Sequence, residues 1–133
     1  AADLDKLSGY EGFTARVEEV RRGFLDFLAK AKADGKSVAA YGAAAKGNTF
    51  LNYAGVTPGD IVAVFDANPH KQDRFLPGTH IPTYAPAAIT QFKPDYLIIL
   101  PWNLKSEIRE QLSYIRAWGG EFVVPIPDVE VFE

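Results

Sequence analysis

Neither cysteine nor methionine occurs among the 133 residues. The first absence removes disulfide scaffolds and thiolate chemistry, and it suits a cytoplasmic protein. The second, together with a start at Ala1-Ala2-Asp3, leads us to expect a chain cut from something longer. No stretch approaches the ~20 consecutive apolar residues of a membrane span, and no basic segment followed by an apolar one marks a secretory signal. A net charge of -3 without a basic block leaves no electrostatic footprint for nucleic acid. What is present, 47% hydrophobic and 13% aromatic residues, is enough to bury the core of one ordinary domain.

The first 35 residues differ from the rest. Tyr10, Phe13, Val17, Val20, Phe24, Phe27 and Ala31 recur at alternating intervals of three and four, with charged residues between them, which predicts an amphipathic helix ended by Gly35. Its seam spans only about three heptads, the lower limit for a coiled coil, so packing on the face of its own domain's sheet is the better reading. We therefore expect a linker and helix over 1–35 and a Rossmann-like domain over 36–133.

From Ser37 onward, apolar runs alternate with helical patterns. Strands are expected at Val38 to Tyr41, Ile61 to Phe65, Ile81 to Thr83, Tyr96 to Leu100 and Glu121 to Val124. Helices are expected from Ala45 to Tyr53 and from about Ala85 to Gln91. A third follows an N-cap at Asn103, with Leu104, Ile108, Leu112 and Ile115 on its apolar face and Gly119-Gly120 at its end. Such alternation argues for an α/β fold: a doubly wound, mostly parallel five-stranded sheet with helices on both faces and right-handed crossovers, in the order 3-2-1-4-5. In that order the loop after Tyr41 and the loop Pro101-Trp102-Asn103 flank one crevice at the strands' carboxyl ends.

The stretch Tyr41-Gly42-Ala43-Ala44-Ala45-Lys46-Gly47-Asn48-Thr49 joins a strand to a helix, where α/β proteins hold anions. Against G-x-G-x-x-G, Gly42 and Gly47 take the outer glycine positions, but the middle one is Ala44, whose methyl group hinders a pyrophosphate. Against the P-loop, Lys46 precedes the second glycine and Asn48 stands where the lysine belongs. Both glycines also have a packing explanation, a tight turn and a close helix-to-strand approach. Lys46 in the first helical turn is either a solvated lysine or an anion contact. Asp66, 24 residues after Gly42, stands where a dinucleotide fold keeps its ribose-binding acid, and it is equally a turn former. His70 and His80 in the polar segment after it read better as solvent-facing residues than as an acid-base pair or metal ligands. Trp102 is either a stacking surface or a plug of the core. There is no Ser-His-Asp set, no recognisable carboxylate pair and no metal motif, so no catalytic or metal-binding residue is assigned.

Several motifs in order, the glycine stretch above, Asp66-Ala67-Asn68-Pro69-His70-Lys71-Gln72, Phe75-Leu76-Pro77-Gly78-Thr79-His80-Ile81-Pro82, Leu100-Pro101-Trp102-Asn103 and Trp118-Gly119-Gly120-Glu121-Phe122, resemble the C-terminal domain of the class I S-adenosylmethionine-dependent sugar C-methyltransferases. The resemblance covers nearly the whole chain. It implies an enzyme with an N-terminal zinc-binding domain, a central methyltransferase domain and this third domain, which itself binds no cofactor. S-adenosylmethionine is implied for the central domain, whose base removes a proton beside the keto group of a nucleotide-linked deoxysugar before the carbanion takes the methyl. Tyr41, Gly42, Ala43, Lys46, Gly47, Asn48, Asn68, Lys71, Trp102 and Asn103 are the positions implied to line the substrate cleft, with Lys46 or Lys71 facing the pyrophosphate. Two alternatives stand beside this: a free-standing nucleotide or NAD-binding module, and a structural domain with an empty crevice.

Overall fold

The computed structural model describes residues 2–43, 45–125 and 129–132, with the side chains of residues 2–17, 45 and 46 outside the description. The first helix, α1 (Ala2–Ala33), is followed by β1 (Val38–Tyr41), α2 (Ala45–Ala54), β2 (Val64–Phe65), β3 (Arg74–Phe75) and β4 (Pro82–Tyr84). Then come α3 (Ile89–Phe92), β5 (Tyr96–Ile99), α4 (Lys105–Gln111), β6 (Glu121–Val124) and β7 (Glu130–Phe132). The seven strands form one sheet in the order β3-β4-β2-β1-β5-β6-β7.

The inner five strands, β4-β2-β1-β5-β6, are parallel and stand in the order expected from the sequence. The sheet is nevertheless not a five-stranded one. β3 pairs antiparallel with β4 at one edge, and β7 pairs antiparallel with β6 at the other. Both escaped the sequence pattern because an edge strand pairs on one side only and buries little. Arg74 and Phe75 are exposed, as are Glu130 and Val131. The second strand is also shorter than Ile61 to Phe65, although Val62 N–H donates to the Val38 carbonyl at 2.9 Å and continues the ladder.

Alternation along the buried strands supplies both faces of the core. Val38, Ala40, Val64, Ile98 and Leu100 face one cluster, which Val20, Phe24 and Leu28 of α1 and Phe50 and Leu51 of α2 complete. Ala39, Phe65, Leu97 and Ile99 face the other, beneath Ile89, Ile108 and Ile115. In α1 the stripe runs through Leu28, which is 3% exposed, and not through Phe27. Steps of four from Val20 to Phe24 to Leu28 stay on one side of a 3.6-residue helix, which leaves Phe27 on the flank. Its ring meets the ring of Tyr96 edge-on at 5.0 Å. The side chains of Tyr10, Phe13 and Val17 lie outside the described residues.

Gly35, at φ 70°, ends α1: its N–H donates to the Lys32 carbonyl and that of Lys36 to the Ala31 carbonyl, which satisfies two carbonyls of the last turn. The helix expected after Asn103 is instead interrupted. A 3-10 turn over Trp102–Leu104 precedes α4, and a second over Ser113–Trp118 follows it. Asn103 is not the N-cap, because the bond from Leu104 N–H to the Pro101 carbonyl draws it into the first turn, and α4 has no side-chain cap.

Candidate functional site

At the carboxyl end of β1 the chain turns at Gly42, whose φ is 88°. A Cβ there would come within 2.6 Å of Pro101 Cδ, so the loop after β1 and the loop after β5 lie against each other. Gly47 allows a second close approach, since a Cβ on it would stand 2.6 Å from Leu100 Cβ. Both glycines thus have a packing reason to be glycine, whatever the loop holds.

The polar segment after β2 folds back onto this loop and braces it. Asp66 accepts from the Ala43 N–H through Oδ2 at 2.7 Å and from the Asn68 N–H through Oδ1 at 2.7 Å. Asn68 Oδ1 in turn accepts from the His70 N–H at 3.0 Å. Lys71 Nζ reaches back to the Ala43 carbonyl at 2.9 Å, and Gln72 Nε2 to the Asp66 carbonyl at 2.9 Å. Both carboxylate oxygens of Asp66 therefore serve the loops themselves. Where a dinucleotide loop offers its backbone N–H groups to a pyrophosphate and keeps its acid for a ribose, this one has joined an N–H to the acid.

Beside the braced loop, toward β3 and β4, is a cavity of about 280 Å³. Ala43 lines it from the glycine loop, and His70, Lys71 and Arg74 from the segment after β2. Phe75, Leu76 and Pro77 add apolar surface, and the buried Thr83 of β4 completes the lining. The cavity has three cationic or protonatable side chains and no carboxylate, which is the composition of an anion site with an apolar wall.

The residues singled out from sequence distribute unevenly around this arrangement. Ala43 and Lys71 line the cavity, while Gly42 lies against Pro101 and the Asn68 N–H is held by Asp66, and neither of these two residues lines it. Tyr41 is half-buried at the end of β1. Burial, and then the Asp66 carboxylate, hold its hydroxyl above the ordinary tyrosine value, and burial and then Tyr41 do the same to Tyr114. Asn48 Oδ1 is buried with no hydrogen-bond partner among the described residues. Trp102 packs edge-on against Phe50 at 6.5 Å, and neither it nor the exposed Asn103 lines the cavity. Ala44 and the side chain of Lys46 lie outside the described residues. His70 lines the cavity and His80, at φ 61°, does not, and among the described residues no group of three His, Cys, Asp or Glu side chains is placed to hold a metal.

The family model for the C-methyltransferase C-terminal domain matches residues 1–127. The chain belongs to that family. It is also 37% identical, over 122 residues, to the C-methyltransferase NovU of Streptomyces niveus, an alignment covering 92% of this chain and 29% of that protein. The C-methyltransferase C-terminal domain described here thus spans less than a third of the length of its curated relative.

Sequence reasoning missed His70, Arg74, Phe75, Leu76, Pro77 and Thr83 as cavity residues of this C-methyltransferase domain, and of these the adjacent Arg74 and Phe75 carried a signal. The signal was an aromatic side chain beside a cation within an otherwise polar loop, the setting in which loop residues carry function. S-adenosylmethionine, which the resemblance assigns to another domain, does not suit the glycine loop. The Ala43 N–H and both Asp66 oxygens that would receive its ribose and its backbone contacts are already bonded to each other and to Asn68.

Proposed function

We propose that this C-methyltransferase C-terminal domain helps to hold a nucleotide-linked keto-deoxysugar while other domains of a parent enzyme methylate it. The observation that carries the reading is the cavity lined by His70, Lys71 and Arg74, without a carboxylate, against a glycine loop fixed by Asp66. A cationic lining attracts a pyrophosphate, and a loop locked by its own hydrogen bonds loses little entropy when the ligand docks. In this scheme Tyr41, Gly42, Ala43, Lys46, Gly47 and Asn48, with Asn68, Lys71, Trp102 and Asn103, present the surface along which the substrate lies. Bound in the central domain, S-adenosylmethionine would supply the methyl group. The residues of this chain bind and orient, and none of them takes the proton. A zinc-binding domain and the central methyltransferase domain are the proposed covalent partners, in the cytoplasm. No helix among the described residues is long and apolar enough to cross a membrane.

Calorimetric titration of the chain with TDP, UDP, NAD and S-adenosylmethionine tests the reading. Saturable binding of TDP or UDP with no response to the other two is the expected result. A preference for NAD would replace it with an NAD-binding module, and silence toward all four would leave a structural domain.

A further inference from the structure

The helix α1 is longer than the body it packs on. Its 32 residues, at about 1.5 Å of rise each, make a rod of about 48 Å, whereas a domain of about 100 residues is only about 30 Å across. The carboxyl half of the helix already uses that width. Val20, Phe24, Leu28 and Ala31 are buried in the core that α1 shares with α2 and the sheet, and the Phe24 ring lies 5.1 Å from that of Phe50 in α2. At the upstream end of this half, three side chains tie the helix to α2. Tyr53 Oη donates to Glu18 Oε2 at 2.7 Å, Arg21 donates to Glu18 Oε1 at 3.1 Å, and the Arg21 guanidinium stands 5.8 Å from the centre of the Tyr53 ring. Residues 2–17 remain beyond that tie, about 24 Å of helix.

A helix of that length is marginal in water without a surface to pack on. Gly9 and Gly12 weaken it further, since glycine is the poorest helix former after proline. Yet the apolar spacing does not stop at the tie. Upstream of Val20 the sequence continues it at intervals of three and four through Leu4, Leu7, Tyr10, Phe13 and Val17. The chain aligns with 29% of a C-methyltransferase and belongs to a family of C-terminal domains, so the rest of a parent enzyme leads into α1. A partner tethered at that point has an effective concentration in the millimolar range. A second copy of the chain is the poorer occupant, because residues 2–17 hold about two heptads, below the three to four of a coiled coil.

We infer that residues 2–17 of α1 are a docking arm for the domain that precedes this one in the parent methyltransferase. No proline interrupts α1, so the arm and the anchored half form one rod. The tie between Glu18, Arg21 and Tyr53 then sets the angle at which the preceding domain is held. The inference rests on the chain being part of a longer C-methyltransferase and not on the substrate class proposed above.

The test measures hydrogen exchange in the chain and in the full-length methyltransferase, with sedimentation of the chain and a Phe13→Asp variant of both. In the chain, the amides of residues 4–16 are expected to exchange on the order of 100-fold faster than those of residues 20–33. In the full-length enzyme they slow to within about tenfold of them. Phe13→Asp leaves the Tm of the chain within about 2 °C of wild type and returns residues 4–16 of the full-length enzyme to fast exchange. Slow exchange of residues 4–16 in the monomeric chain, with a Tm lowered by Phe13→Asp, would overturn the inference by placing the arm on its own domain. Slow exchange accompanied by a sedimenting dimer would overturn it in favour of a second copy. Fast exchange of residues 4–16 in the full-length enzyme would overturn it as well. Each of these results leaves the substrate-holding role standing.

Discussion

Asp66→Asn separates a loop brace from a ligand-binding acid. The carboxylate now accepts two backbone N–H bonds of 2.7 Å, one from Ala43 and one from Asn68. An asparagine keeps one acceptor oxygen, while its amide nitrogen must face the other N–H and cannot accept from it. One charge-assisted bond, worth about 1.5–3 kcal/mol, is lost, and the remaining bond becomes a neutral one worth about 1 kcal/mol. Because Asp66 is only half-buried, water recovers part of the loss, which sets the expected destabilisation at roughly 2 kcal/mol. For a chain of this length that corresponds to a fall in Tm of about 8 °C. Thermal and urea unfolding of the ligand-free chain measure it, with an unchanged urea m-value marking a loss of stability and not a looser native state. An acid reserved for a ribose would leave the ligand-free protein untouched, so a Tm within about 2 °C of wild type would refute the reasoning.

Gly47→Ala pits helix propensity against packing. The substitution gains about 1 kcal/mol of propensity but overpacks against Leu100 Cβ at a cost of about 1–3 kcal/mol, so urea unfolding should show a net loss near 1 kcal/mol. Tyr41 and Tyr114, whose hydroxyls are held above the ordinary value by burial, should ionise late in an absorbance titration. Above a pH of about 10 the unfolded chain has lost those protons and the folded one has kept them, so stability falls as pH rises from there through the folded-state values. Tyr41→Phe should flatten that alkaline slope.

The parallel core was legible because its strands are buried on both faces and bounded by turn residues: Tyr96 to Ile99 is apolar throughout, and Gly119, at φ 80°, closes the turn into Glu121. The edges were not. Arg74-Phe75 and Glu130-Val131-Phe132 become strands only by pairing with β4 and β6, and nothing in their own pattern distinguishes them from loop. The site followed the same division. Gly42 and Gly47 were readable as positions of close approach, since a missing Cβ is a local property. The bond between Ala43 and Asp66 joins residues 23 apart, and the placing of Arg74 and Phe75 over the cavity depends on the β3–β4 pairing. Asn103 fits every local rule for an N-cap, yet the Leu104 N–H to Pro101 carbonyl bond overrides them.

The central claim, that this domain holds substrate and does no chemistry on it, is tested most directly by steady-state kinetics of the full-length methyltransferase carrying Lys71→Ala, with a nucleotide-linked keto-deoxysugar as the varied substrate. A binding role predicts a raised KM with kcat unchanged, because Lys71 would contribute equally to the ground and transition states. A kcat that falls while KM stays constant would place Lys71 in the chemical step and contradict the account.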